Sequence, residues 1–233
     1  MQNTVKLSPR LQLIADKVIP GAKVADIGTD HAYIPIYLVQ KGISDYVIAS
    51  DVRQGPVRKA IRNVEKYQFH DKINIRLGNG LETIHEREVD TVIIAGMGGV
   101  LITEILSNAH FILKDVKRLI LQPMLGQEEV RIWLENHHYT IVDEELAKEE
   151  HKIYNVIVAE HGYEKIDKPI YYYIGKKLIE KRDPLLPELI QHRMIELENI
   201  IHKLIESESP NAKRRLEECE MMLEEYKKLL QYK

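Results

Sequence analysis

Asp26, Gly28, Asp30, His31 and Asp51 are the residues whose types and spacing could do chemistry in this chain. The run Val24–Ala25–Asp26–Ile27–Gly28–Thr29–Asp30–His31 sets small and β-branched residues ahead of an acid, a glycine and a second acid, and helical character follows. One strand–helix unit later, Val47–Ile48–Ala49–Ser50–Asp51 is a second apolar strand ending in an acid. A glycine turn behind one strand, with a carboxylate at the tip of the next, is how an open α/β sheet grips an adenosine-bearing cofactor. Gly28 must be small because backbone approaches the ligand there. Asp51 must be acidic because a ribose offers two hydroxyl donors.

The dinucleotide fingerprint G-x-G-x-x-G is absent, since Thr29–Asp30–His31 follow Gly28. Asp26 and Asp30 crowd the place a pyrophosphate would take, and they repel it. S-adenosylmethionine (SAM) carries no phosphate, and its ammonium and sulfonium are cationic. The sign of the charge therefore favours SAM over NAD or ATP.

Two further loops fit the same crevice. Gly78–Asn79–Gly80–Leu81 follows the third strand, where Asn79 could meet an adenine edge and Gly80 lets backbone come close, although Asn-Gly is also a strong turn pair. Ala95–Gly96–Met97–Gly98–Gly99 follows the fourth strand, and its bare backbone could line the channel between methyl donor and acceptor. It has no base-stacking aromatic. Asp30 and His31 are the acid–base pair of the first loop. The plainer reading makes Asp30 the cap of the next helix and His31 a surface residue. Arg58, Arg62 and Lys66 recur every four residues on one helical face, with Arg53 and Lys59 beside them. Such a face is either ordinary solvated surface or a patch for phosphate backbone. The histidines share no metal-ligand spacing, so no metal is expected.

The elements that position these residues alternate. Strands are expected near Lys23–Gly28, Tyr46–Asp51, Ile73–Leu77, Val89–Ala95, Arg118–Gln122, Thr140–Leu146 and Ile153–Val158. Helices are expected near Ile34–Lys41, Gly55–Phe69, Gly99–His110 and Gln127–His137, with a short one starting at Ser8–Pro9. The alternation predicts an α/β fold with a mostly parallel sheet. The last two strands have only Glu149–Glu150–His151–Lys152 between them, which predicts an antiparallel hairpin at the sheet edge. After Gly162 the pattern becomes helical. Ile190, Met194, Leu197, Ile201 and Leu204, then Ala212, Leu216, Cys219, Leu223, Tyr226 and Leu230, repeat at steps of three and four. Two such stripes around a turn at Ser207–Asn211 predict an antiparallel helical hairpin, or coiled coil, with Cys219 in its seam. The expected domains are 1–162, binding SAM, and 163–233, helical.

The chain has 233 residues, 44% hydrophobic and 30% charged, with a formal charge of −3. Attraction to nucleic acid must then come from local patches. No apolar run reaches the ~20 residues of a membrane span. The single cysteine cannot form an internal disulfide. With no basic-then-apolar leader, a reducing cytoplasm is the expected compartment.

Leu7–Ser8–Pro9–Arg10–Leu11, Asp26–Ile27–Gly28–Thr29–Asp30–His31–Ala32–Tyr33–Ile34–Pro35, Gly78–Asn79–Gly80–Leu81, Ile94–Ala95–Gly96–Met97–Gly98–Gly99 and Leu121–Gln122–Pro123 together resemble the bacterial tRNA (adenine-N1)-methyltransferase family TrmK. The resemblance covers the whole chain. It implies a Rossmann-like class I SAM-dependent methyltransferase that acts on adenosine 22 of tRNA. It further implies that Arg10, Asp26, Gly28, Asp51, Asn79, Gly80, Ala95 and Gly96 contact SAM, with Arg10 near its carboxylate. Asp30 and His31 would face the target base. The charged face and the glycine loop, read from the residues themselves, make Arg53, Arg58, Arg62 and Gly98 the expected substrate contacts. The implied partner is tRNA, with no membrane, and a monomer is expected. Methylation of another RNA or of a small metabolite, and a non-catalytic interaction protein of the same fold, are the competing readings.

Overall fold

A computed structural model describes residues 4–206 and 209–231. The chain divides into two compact units, Met1–Lys165 and Ile166–Lys233. In the first unit the elements run α1 (Pro9–Asp16), β1 (Lys23–Ile27), α2 (Tyr33–Gln40), β2 (Tyr46–Asp51), α3 (Gln54–Tyr67), β3 (Ile73–Leu77), β4 (Thr91–Gly98), α4 (Gly99–Ser107), α5 (His110–Leu113), β5 (Arg118–Leu125), α6 (Gln127–Asn136), β6 (Tyr139–Glu149) and β7 (Lys152–His161). A 3-10 turn at Gly80–Thr83 separates β3 from β4.

The strands form one seven-stranded sheet in the order β3-β2-β1-β4-β5-β7-β6. β1 to β5 are parallel, and β7 joins β5 antiparallel, with β6 paired on its outer edge. The central strands read as almost unbroken apolar runs because both faces are covered. One face packs Ile14, Ile36, Leu38, Ala60 and Val64 from α1, α2 and α3. The other packs Ile102, Leu106, Val130, Trp133 and Leu134 from α4 and α6. Each buried Val, Leu or Ile among them contributes about 1.5–3 kcal/mol on leaving water. The edge hairpin is tied to α6 by Arg131, whose Nη2 donates to Glu144 Oε1 at 2.7 Å, both residues being buried.

Two sequence expectations, on β4 and α4, are corrected, and the alternative reading of Asp30 as a helix cap falls. Gly96 to Gly98, expected as loop, extend β4 and pair irregularly with β5, with Met97 opposite Pro123 and Gly98 opposite Leu125. Asp30 does not cap α2: Ala32 occupies the N-cap in a left-handed conformation, and its N–H donates to Thr29 Oγ1 at 3.2 Å. The helix expected over Gly99–His110 ends at Ser107, and α5 follows as a separate turn.

The second unit contains α7 (Ile170–Ile174), α8 (Lys176–Lys181), α9 (Leu186–Ile205) and α10 (Pro210–Gln231). Gly175, at φ +91°, divides α7 from α8. α9 and α10 pack as a hairpin on the expected stripes. Ile190, Ala212, Cys219 and Tyr226 are buried, and Met194, Leu197, Leu216 and Leu223 are half-buried. Ser207 and Glu208 of the expected turn lie outside the described residues. Among the described residues no helix is long and apolar enough to cross a membrane.

Candidate active site

The order of the sheet reverses between β1 and β4, so the loops leaving their carboxyl ends diverge and open a crevice. Asp26 sits beside Ala49 of β2 and Ile93 of β4, and Ile27 beside Ser50 and Ile94. The loops that carry Gly28, Asp51 and Ala95 therefore emerge side by side.

Gly28 has φ +82°, which only glycine adopts at little cost. Its N–H and that of Thr29 both donate to Ser50 O, at 2.8 and 2.9 Å, which pins the turn to β2. A Cβ on Gly28 would lie 2.2 Å from Met97 Cε, so this turn and the β4 extension face each other closely. Asp26 is buried, and burial pushes its carboxyl up to about 6 while a hydrogen bond with Thr29 partly opposes the shift. A carboxylate so desolvated gains from any cation delivered to it.

Asp51 is buried at the end of β2, and its Oδ1 accepts from Arg53 N at 2.8 Å and more loosely from Arg53 Nε at 3.4 Å. Both bonds use one oxygen. Gly78 N donates to Asp51 O at 3.1 Å, bringing the Gly78–Asn79–Gly80 loop to the same rim. Asn79 is exposed, and Gly80 has φ +52° with Ile105 packed against the place of its missing Cβ.

Arg10 reaches the crevice from α1. Its Nη1 donates to Gln122 Oε1 at 2.7 Å, and its guanidinium lies 5.2 Å from the ring centroid of Tyr154 on β7. The same Gln122 oxygen accepts from Gly96 N at 3.2 Å, and Gly96 itself has φ +80°. Arg10 Nε is buried without a hydrogen-bond partner. Ala95 is half-buried where regular β4 pairing ends, and Gly98 is the N-cap of α4.

Asp30 and His31 turn toward α3. His31 Nε2 lies 3.1 Å from Asp30 Oδ2, and Lys59 Nζ lies 3.5 Å from Asp30 Oδ1. Asn63 Nδ2 donates to His31 O at 2.9 Å, and the His31 ring stacks on Tyr33 at 5.1 Å. Arg53, Arg58, Lys59, Arg62 and Lys66 are all exposed.

The sequence alone assigns no role to Tyr154 and does not bring Lys59 to Asp30. Gln122 is visible only as part of the Leu121–Gln122–Pro123 motif, with no role attached. Tyr154 looks like any strand aromatic. Lys59 reads only as part of a charged face. Among the described residues no cluster of three or more metal-ligating side chains occurs.

The crevice has a bare-backbone turn, a buried acid wanting a cation, an acid at the ribose position and an arginine with a buried, unpaired Nε. SAM fits this set of groups, and the turn after β1 lacks the glycine fingerprint that holds a diphosphate. Fold and site together define a class I SAM-dependent methyltransferase domain with a helical appendage. The chain belongs to the TrmK family, tRNA (adenine(22)-N(1))-methyltransferase, whose family model matches residues 24–228. A curated tRNA (adenine(22)-N(1))-methyltransferase of Bacillus subtilis (strain 168) is 44% identical over 160 residues, covering 69% of this chain and 67% of that protein. The crystal structure of the B. subtilis m1A22 tRNA methyltransferase TrmK superposes with a TM-score of 0.90 at 33% identity, over 97% of this chain and 99% of that one. Streptococcus pneumoniae Sp1610, solved in complex with S-adenosyl-L-methionine, superposes with a TM-score of 0.88 at 34% identity, over 97% of this chain and all (100%) of the other.

Proposed function

We propose that this chain methylates N1 of adenosine 22 in tRNA, in the cytoplasm where that substrate resides, with the residues around the β1–β4 crevice in the following roles. SAM supplies a methyl group activated by its sulfonium. Asp26 offers negative charge to the cationic end of the cofactor, and Arg10 takes its carboxylate. Asp51 Oδ2 receives the ribose hydroxyls, since both bonds from Arg53 go to Oδ1. Asn79 and Gly80 meet the adenine, and the backbone of Gly28, Ala95 and Gly96 closes around the rest.

Adenine N1 is a neutral nucleophile with a free lone pair, so no proton has to leave before attack. The protein's task is alignment and exclusion of water. The product base is cationic. Asp30, half-exposed and bracketed by His31 and Lys59, stabilises that charge or accepts a proton from the exocyclic amine. N1 lies on the pairing edge, so the adenosine must leave its stack first. Arg53, Arg58 and Arg62 supply exposed positive charge for the RNA backbone, and Gly98 lets the acceptor come close.

The observation that carries this reading is the match to the tRNA (adenine(22)-N(1))-methyltransferase family over residues 24–228, and the buried Asp26 beside a turn without the phosphate-binding fingerprint agrees with its cationic cofactor. The test incubates the purified chain with SAM and a tRNA transcript, then maps methylated bases. Methylation at N1 of adenosine 22, and none on a transcript carrying guanosine there, is the expected result. Methylation elsewhere, or of small acceptors alone, would overturn it.

A further inference from the structure

The loops that follow β4 and β5 meet backbone to backbone. A Cβ on Gly99 would lie 1.9 Å from Gly126 O, an approach that glycine alone permits. Gly98 pairs with Leu125 at the end of the β4–β5 register, and a Cβ there would touch Leu125 Cδ1 at 3.8 Å. From this rigid junction apolar side chains point outward: Leu125 is 66% exposed, Val100 55% and Met124 41%. Single exposed apolar residues need no account. Met124 and Leu125 end β5, Leu125 paired with Gly98 of the glycine backbone at the crevice, and Val100 follows in the first turn of α4. Met124 is also held in place, because Gln122 Nε2 donates to its sulfur at 3.6 Å while Gln122 Oε1 holds Arg10.

We propose that Met124 and Leu125 form the shelf on which the unstacked target adenine lays its face. This rests on the function proposed above and names the acceptor half of the same site. A base taken out of an RNA stack loses apolar contact on both faces, and proteins that hold such bases supply replacement surface. The extended β4 offers glycines and Met97 but no aromatic ring, so a flat ring has room against the backbone on one side and needs an apolar wall. The shelf supplies that wall.

Leu125→Ser and Met124→Ser test the shelf, with Leu125→Phe as the variant that restores apolar surface. Both side chains are substantially exposed, so melting temperature is expected to match the parent in each variant, and SAM affinity to match it in Leu125→Ser, whose side chain does not touch Gln122; Met124→Ser is read as kcat/KM after correction for any change in SAM affinity. kcat/KM for tRNA is expected to fall about tenfold in each serine variant and to recover in Leu125→Phe. Unchanged kcat/KM in both serine variants would overturn the inference. So would a sedimentation change from dimer to monomer with kinetics intact, which would assign the shelf to a second copy of the chain. A parent protein that methylates no tRNA removes the underlying function instead, and that is seen before any variant is made.

Discussion

Arg10 and Gln122, 112 positions apart, are joined by a 2.7 Å hydrogen bond, and the accepting oxygen of Gln122 also binds Gly96 N. One buried amide thus sets both the cation that rises from α1 and the turn of the β4 extension. Gln122→Leu keeps the volume and removes the acceptor shared by the half-buried Arg10 and the N–H of the exposed Gly96. The expected cost is about 1–3 kcal/mol of stability, with weaker SAM binding because Arg10 and Gly96 both drift. Thermal melting and calorimetry check this. A variant with parental melting temperature and parental affinity would show that the amide is passive.

Asp26 gives a pH dependence with a definite sign. Its carboxyl is near 6 in the fold against 3.8 ordinarily, so the fold favours the neutral form. In the SAM-free protein this group alone makes the fold less stable as pH rises from about 4 to about 6, and no further change follows above that. A bound cation reverses the preference. SAM affinity is therefore expected to fall as pH drops below about 6, by at most about tenfold per unit. Asp26→Asn should bind weakly at neutral pH and lose that slope. A variant that retains the slope would place the titrating group elsewhere.

Asp30 is exposed enough to meet a bulky acceptor and sits off the cofactor-binding turn, against α3. Asp30→Asn is expected to lower kcat on the order of a hundredfold with SAM affinity nearly unchanged. Equal losses in both would make Asp30 a cofactor ligand. Lys59→Ala separates the neighbour's role. An exposed ion pair is worth about 1 kcal/mol or less, so melting should barely move. Turnover should fall if Lys59 holds Asp30 in place, and single-turnover rates measure that.

Much of the cofactor half is legible in the sequence because it is local. Val24 to Gly28 and Val47 to Asp51 each carry strand, turn and ligand group within a few residues, and β2 and β3 begin and end where their composition changes. The β4 extension is not legible. Gly96, Gly98 and Pro123 are poor strand formers, and only the partner strand, with its register shifts, draws them into the sheet. The roles of Gln122 and Tyr154 depend on Arg10, far away in the chain, and no spacing rule signals such an approach. Lys59 is visible as charge, but its meeting with Asp30 requires α3 to lie against the first loop. The exposed apolar shelf is hidden for the opposite reason: Met124 and Leu125 look like an ordinary strand end until their exposure is known.

The basic side of α3 yields the last expectation. Arg58 Nη2 donates to Gln54 Oε1 at 3.2 Å and Arg62 Nε to Arg58 O at 3.3 Å, so both side chains are held along the helix while their charge stays in water. Neither carries the core, and reversal to glutamate should leave melting close to parental. If the face binds RNA phosphates, Arg58→Glu with Arg62→Glu should weaken tRNA binding at low salt. It should also flatten the dependence of log affinity on log salt by about 0.7–0.9 for each phosphate that is no longer neutralised. SAM affinity should not move. Filter binding across a salt series reads the slope directly. A parental slope with parental affinity would take α3 out of the interface and leave the RNA to other surfaces of the protein.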